Sequence, residues 1–415
     1  MAKKAIETLE IDNFLSIKHI KFDFSQFNII TGDMAAGKSL CLKIMNFFQD
    51  IIPNMLTAPY DHFIKNLENG NLFVSLAKKF DEIFYLSISV EKNYIPFNIN
   101  YTFSFGEETF NININGGKET GINVKSVSLE NLLIDWLAYS KRKFINDPER
   151  VTYDGFREVK HFLYNNLQKK FGGFFPVKAA FIPASRAALT LSTDYTDYYL
   201  KKYKAFTDYL RFRRFRNQEA VEKILKANIN IEDTVYLDSA DGRRVPLAKA
   251  SSGQQEIAYF LMHLDRLGFF SYAYGKTQSL FIEEPSVYLS PQEEKRLIEF
   301  IVEIYNRQNI TDTPIRFFIT TYSPYIFDSL NNMLKKGTLI NKYKKLKKIN
   351  EKINIPHLNT DEVSAYYINN TGIGKNIINK NQIKAYGIKQ ISNTIMEEKK
   401  MLNKLNKELS KQSKK

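Results

Sequence analysis

Apolar and polar residues alternate over 6–11, 19–24 and 27–30, the period-two pattern that predicts strands. A helix is predicted to follow, from Lys38 through about Gln49. Further strand-like runs cover 72–80, 83–90, 99–105 and 109–114, with Asn115-Gly116-Gly117 as a turn signal. These runs predict an antiparallel layer.

From 129 to 225 the pattern turns helical, interrupted by a short apolar strand at 177–182. Within it, 198–224 mixes aromatics with Lys201, Lys202, Arg211, Arg213, Arg214 and Arg216. Residues 235–247 read as a hairpin turned at Asp241-Gly242. A helix at 254–267, a buried strand at 279–282, a helix at 291–306 and a buried strand at 315–319 follow. Continuous apolar strands alternating with helices imply a parallel α/β core. Beyond Lys335 the reading is a Lys-rich connector, a β-like piece at 363–368 and a charged helix at 391–409, with 396–415 charged all round and solvated or partner-bridging. The expected units are an N-terminal lobe (1–128), a helical insertion (129–230), a C-terminal lobe (231–345) and a basic extension (346–415).

Length and composition narrow this picture. At 415 residues, 44% hydrophobic and 14% aromatic, the chain is large and apolar enough for a substantial core. No stretch approaches the ~20 apolar residues of a membrane span, and the start lacks a signal-peptide core. The one cysteine, Cys41, excludes a disulfide framework, and His19, His62, His161, His263 and His357 lack metal-ligand spacing. The expectation is a cytoplasmic protein without a structural zinc site. Lys and Arg outnumber Asp and Glu by 59 to 45, a net +14 that suits either a polyanion partner or a generally basic solvated surface.

Three segments carry chemistry. Gly32-Asp33-Met34-Ala35-Ala36-Gly37-Lys38-Ser39 is a complete G-x-x-x-x-G-K-S between a predicted strand and a predicted helix, with Leu40 following. Its glycines let backbone N–H groups curl around phosphates, Lys38 reaches the β- and γ-phosphates, and Ser39 ligates Mg²⁺. In Ser279-Leu280-Phe281-Ile282-Glu283-Glu284-Pro285 an apolar strand ends in two carboxylates that alternation aims differently. Glu283 is assigned to the metal and Glu284 to the attacking water as general base. In Ser251-Ser252-Gly253-Gln254-Gln255-Glu256, Ser251 is an N-cap candidate opening a helix.

Taken in order, TGDMAAGKS, SSGQQE, LFIEEP and ITTYSPY resemble the Walker A, signature, Walker B and switch segments of ABC-type ATPases. The opening from Leu9 to Ser39 is similar to SMC, RecF and OLD-like members, and Phe181-Ile182-Pro183-Ala184-Ser185-Arg186 resembles the OLD-like branch of bacterial anti-phage systems. The resemblance implies an ABC-type P-loop fold, ATP and Mg²⁺ as cofactors, and a head-to-head homodimer. In that dimer Ser251, Ser252, Gly253 and Gln254 address the ATP on the partner's P-loop. It further implies a separate effector such as a nuclease or toxin. An SMC- or RecF-like DNA clamp and a transporter subunit are the alternative readings, and no membrane contact is expected. Tyr322 stands where the family pattern has a switch histidine, and Ser286 and Tyr288 replace an acid and a histidine after Walker B. Tyrosine does not titrate near neutrality, so slow hydrolysis is the expectation. Ser185 or Arg186 is placed near the Q-loop. After Tyr322 there is no Asp-x-Asp, so a Toprim nuclease is not expected.

Overall fold

The structure, a computed structural model, describes residues 5–55, 72–84, 95–117, 121–144, 165–172, 175, 178–184, 186, 218–232, 234–274, 278–308, 315–343, 356–379, 382–383 and 393–412. Strands β1 (Ala5–Phe14) and β2 (Ile17–Phe24) form a hairpin, and β3 (Phe27–Gly32) leaves it for a second sheet. Helix α1 (Lys38–Met55) follows the loop after β3, and α2 (Leu72–Phe84) comes next. Strands β4 (Phe97–Phe105), β5 (Glu108–Gly117) and β6 (Gly121–Lys125) complete an antiparallel sheet in the order β2-β1-β4-β5-β6.

Helix α3 (Val127–Phe144) and strand β7 (Lys178–Ile182) lie in the expected insertion, and α4 (Gln218–Leu225) closes it. Strands β8 (Asn228–Ile231), β9 (Val235–Asp238) and β10 (Arg244–Pro246) form a small antiparallel sheet that includes the predicted hairpin. Then come α5 (Ser252–Tyr274), β11 (Gln278–Glu283), α6 (Pro291–Gln308), β12 (Ile315–Thr320) and α7 (Pro324–Tyr343). Strands β13 (Val363–Ile368) and β14 (Gly374–Asn376) precede the last helix, α8 (Asn393–Gln412).

The core sheet runs β14-β13-β3-β12-β11-β7, with every pair parallel except β13–β14. Its central strands are apolar on both faces because both are covered. Phe281 and Phe318 stack 4.6 Å apart on the face toward α1 and the antiparallel sheet. Their neighbours Leu280, Ile282, Phe317 and Ile319 join the cluster containing residues of α5, α6 and α7. Helix α1 is held by more than apolar packing. Buried Glu7 accepts from Gln49 Nε2 at 2.7 Å and the Tyr101 hydroxyl at 2.6 Å, and pairs with Arg316 of β12. The helix behind the phosphate loop is thus tied to both sheets.

Several expectations change. The run 72–80 is helical, not a strand: Leu72, Leu76, Phe80 and Phe84 recur every four residues and are all buried. That spacing makes one helical stripe, against which the local richness in strand-forming residues counts for little. Phe80 packs on Phe14 and Phe47 at ring separations of 5.5 and 5.1 Å. Ile83 and Phe84 belong to the same helix, and 85–90 lies outside the described residues. Asn115-Gly116-Gly117 is not a turn but the end of β5, paired with Asn123, Ile122 and Gly121. Pairing on both sides overrides the local turn preference, and the β4–β5 turn falls instead at Gly106, whose φ is +64°.

The Lys-rich stretch after Lys335 begins as helix, since α7 continues to Tyr343 and buries Lys336 against Glu398 of α8. Helix α8 is not polar all round: Leu402 and Leu409 pack with Leu339 and Tyr343 of α7. The short strand at 363–368 lies inside the core sheet beside β3. The basic aromatic run 198–216 lies outside the described residues.

Candidate nucleotide site

Strand β3 delivers the chain to a tight loop at Gly32–Gly37, and α1 starts at Lys38. A Cβ at Gly32 would collide with the Ile368 carbonyl of β13. Gly37 has φ +98°, and a Cβ there would sit 2.8 Å from Ser16 Oγ and closer still to Ile17. Ala35 also takes a left-handed φ of +57°, which costs on the order of 1 kcal/mol or more. The first turn of α1 adds N–H groups without intrahelical acceptors, so the loop and helix start form an anion cradle. Lys38 Nζ curls over it, donating to the Gly32 and Asp33 carbonyls at 3.1 and 3.0 Å. Ser39 and Leu40 are half-buried in that first turn, Ala36 is buried, and Met34 is 94% exposed at the tip. Cys41 is buried, and burial pushes its thiol pKa up, which leaves it an inert core residue.

Parallel pairing brings the end of β11 alongside β12 and β7, on the strand-end side where the loop after β3 also lies. Glu283 is the last strand residue, buried, with Oε2 accepting from the Ala184 amide at 3.2 Å. Glu284 follows with a strained φ of +40°. Its amide donates to the Thr320 carbonyl at 3.1 Å, and its Oε2 accepts from the Tyr322 amide at 3.3 Å. Burial raises the Glu284 carboxyl to a pKa of about 7, and Glu283 pushes the same way. Lys38, the Tyr322 amide and Arg186 oppose that rise. A carboxyl tuned to neutrality next to a phosphate-loop lysine is equipped to exchange a proton at physiological pH.

Tyr322 leaves β12 with its side chain 60% exposed. Burial of its hydroxyl, with Glu284, Glu294 and Tyr288 nearby, raises its pKa, so it is a hydrogen-bond donor and not a base near neutrality. Ser323 begins α7 as its N-cap, with Pro324 at the first helical position and Ser323 Oγ bonded to buried Glu294.

The signature segment opens α5 through a reciprocal capping box. The Gln254 amide donates to Ser251 Oγ and the Ser251 amide to Gln254 Oε1, both at 3.3 Å. Ser251 and Ser252 are exposed, and Gly253 lies so close to Tyr288 that a Cβ would sit 3.2 Å from the Tyr288 carbonyl. Among the described residues, no hydrogen bond joins Ser251–Gln254 to Gly32–Leu40. Glu284 meets the Tyr322 amide and feels the charges of Lys38 and Glu283 within one chain, whereas Ser251 and Ser252 are exposed and Gly253 and Gln254 are half-buried.

Three residues shape this site beyond those assigned a clear role from the sequence, which placed Arg186 only near the Q-loop and gave Glu256 and Tyr367 no role. Arg186 is fully buried between α5 and the end of β11. Glu256, inside the signature segment, is its ionic partner at 3.2 Å. Tyr367 of β13 bonds Asp33 of the phosphate loop. Arg186 carried a signal, a charge four residues beyond an apolar strand, while Ser185 lies outside the described residues. Tyr367 carried none, since it sits in an apolar run.

Residues 5–327 match the family described as the AAA ATPase domain (AAA_15). Among solved structures, an SMC head bound to the C-winged helix domain of ScpA is 13% identical at a TM-score of 0.42, covering 78% of this chain and 91% of that one. The SMC head domain from Thermotoga maritima is 11% identical at 0.35, covering 79% and 92%. RecF bound to ATP, of the RecFOR pathway, is 10% identical at 0.34, covering 90% and 99%. Scores this low establish no shared function. No curated protein matches the chain.

Proposed function

The chain belongs to the AAA ATPase domain family, and from that premise we propose that it binds ATP at Gly32–Leu40 and hydrolyses it with Glu284 as general base. One observation carries this reading: parallel pairing sets the acidic end of β11, Glu283 and Glu284, on the same strand-end side of the core sheet as the glycine loop after β3 that leads into Lys38. Lys38 and the loop amides hold the phosphates, while Glu284 takes a proton from the attacking water. Ser39 and Glu283 are the residues that would hold Mg²⁺, and a hydroxyl with a buried carboxylate is the hard oxygen donor set that ion prefers. A Mg²⁺ ion held by these two residues would supply neutralisation of phosphate charge. The Tyr322 amide donates to Glu284, and the Tyr322 hydroxyl, which stays protonated near neutrality, is a poor proton relay, so we propose slow turnover.

The exposed signature turn suits a second copy of the chain better than its own P-loop. Two protomers then enclose two ATP molecules, with Ser251, Ser252, Gly253 and Gln254 completing the partner's site, and the ATP-closed dimer switches a separate effector of the nuclease or toxin kind. Defence against phage rests on the sequence resemblance and is checked by the genes encoded nearby. Glu284→Gln should retain ATP and accumulate as a dimer in light scattering, whereas Lys38→Ala should lose ATP binding. Wild-type turnover in Glu284→Gln would remove Glu284 as the base.

A second reading, a DNA-maintenance ATPase, is favoured by the net charge of +14. Affinity for DNA that is indifferent to salt would count against it.

A further inference from the structure

Arg186 spends its whole side chain inside the protein. Its backbone amide donates to Glu256 Oε2 at 3.0 Å, and its Nε lies 3.2 Å from the same oxygen and 3.3 Å from the Glu256 carbonyl. One terminal nitrogen, Nη1, donates to the Pro183 and Glu283 carbonyls at 2.9 and 3.0 Å, and Nη2 donates to the Glu284 carbonyl at 3.2 Å. The guanidinium also lies 5.2 Å from the Phe260 ring centroid. Glu256 and Phe260 belong to α5, the helix that the signature turn opens; Glu283 and Glu284 are the paired acids at the end of β11. One planar cation thus grips both elements.

We propose that Arg186 is a positioning residue that couples the signature helix to the hydrolytic carboxylates, so that a movement of α5 is felt as a change in the placement of Glu284. The inference rests on the ATPase reading above. A planar fork fits this task because its donors leave in fixed directions, so it cannot follow Glu256 without shifting the Glu283 and Glu284 carbonyls. The backbone it holds is the part that needs holding: Glu284 sits in a left-handed conformation that only surrounding contacts maintain. Docking of a phosphate or a second protomer on Ser251–Gly253 would bear directly on the start of α5, one turn from Glu256.

Arg186→Lys keeps the charge and loses the fork. It should lower kcat by about 10²-fold, the cost of roughly a 1 Å misplacement, and leave the Kd of a fluorescent ATP analogue at its wild-type value. The double variant Arg186→Met with Glu256→Met orphans no buried charge, so it keeps the test available if the single change prevents folding. It should also lower kcat with binding retained. The coupling is overturned if either folded variant turns over ATP at the wild-type rate, or if kcat falls only in step with ATP binding. Glu284→Gln run alongside separates the two ideas: if it matches wild type, the base assignment itself has failed.

Discussion

The Tyr367 hydroxyl donates to the Asp33 carboxylate at 2.7 Å, joining the penultimate residue of β13 to the phosphate loop. The other Asp33 oxygen accepts from the Asn370 amide at 2.8 Å, and the Asp33 amide donates to the Ile368 carbonyl at 3.0 Å. The Asp33 carboxylate and burial both raise the Tyr367 pKa, which keeps its proton in place as a donor. A strand beyond the family-matched residues 5–327 therefore shapes the glycine loop after β3. Tyr367→Phe removes one charge-assisted bond worth about 1.5–3 kcal/mol. Measured by titration with a fluorescent ATP analogue, affinity should fall by about ten-fold or more, as each 1.4 kcal/mol is a factor of ten.

The pH dependence of turnover follows from Glu284. Its pKa of about 7 makes kcat rise as pH increases through neutrality, since the base must be ionised. A flat profile between pH 6 and 8 would assign the proton transfer elsewhere.

Stability carries the opposite sign. The folded pKa lies above the ordinary carboxyl value of 4.5, so the folded state binds more protons between pH 4.5 and about 7. Stability falls across that window as pH rises, and the cost is complete above it. Glu284→Gln should melt a few degrees higher than wild type at pH 8 and show no such advantage near pH 4.

Gly37→Ala tests the geometry of the phosphate cradle. A side chain there meets Ser16 and Ile17 at a φ of +98°, conditions that cost on the order of 1–3 kcal/mol for a strained backbone alone. Chemical denaturation should show that loss, together with weaker ATP binding.

Lys336 and Glu398 pin α8 to α7, and Lys336 is only 1% exposed. Glu398→Ala strips a buried ammonium of its partner, which costs about 3–5 kcal/mol. Lys336→Met combined with Glu398→Met should recover most of the loss in urea melts. If the single variant is as stable as wild type, α8 is not fixed there in solution.

The sequence by itself determined the parts whose signal is local. Gly32–Ser39 specifies its own curl, because its glycine spacing and following helix are contiguous, and Ser251–Gln254 specifies its own capping box. The apolar runs at β11 and β12 declare two-sided burial, hence a parallel core. What needed the tertiary structure are the relations between segments far apart in the chain. Whether 72–84 is a strand or a helix turned on which residues find Phe14 and Phe47, and pairing decided that Asn115–Gly117 extends a strand. The neutral pKa of Glu284 and the grip of Arg186 on two elements exist only once folding excludes water and sets distances. The same holds for the reach of Tyr367 to Asp33, since a hydrogen bond depends on angstrom-scale placement that no spacing along the chain encodes.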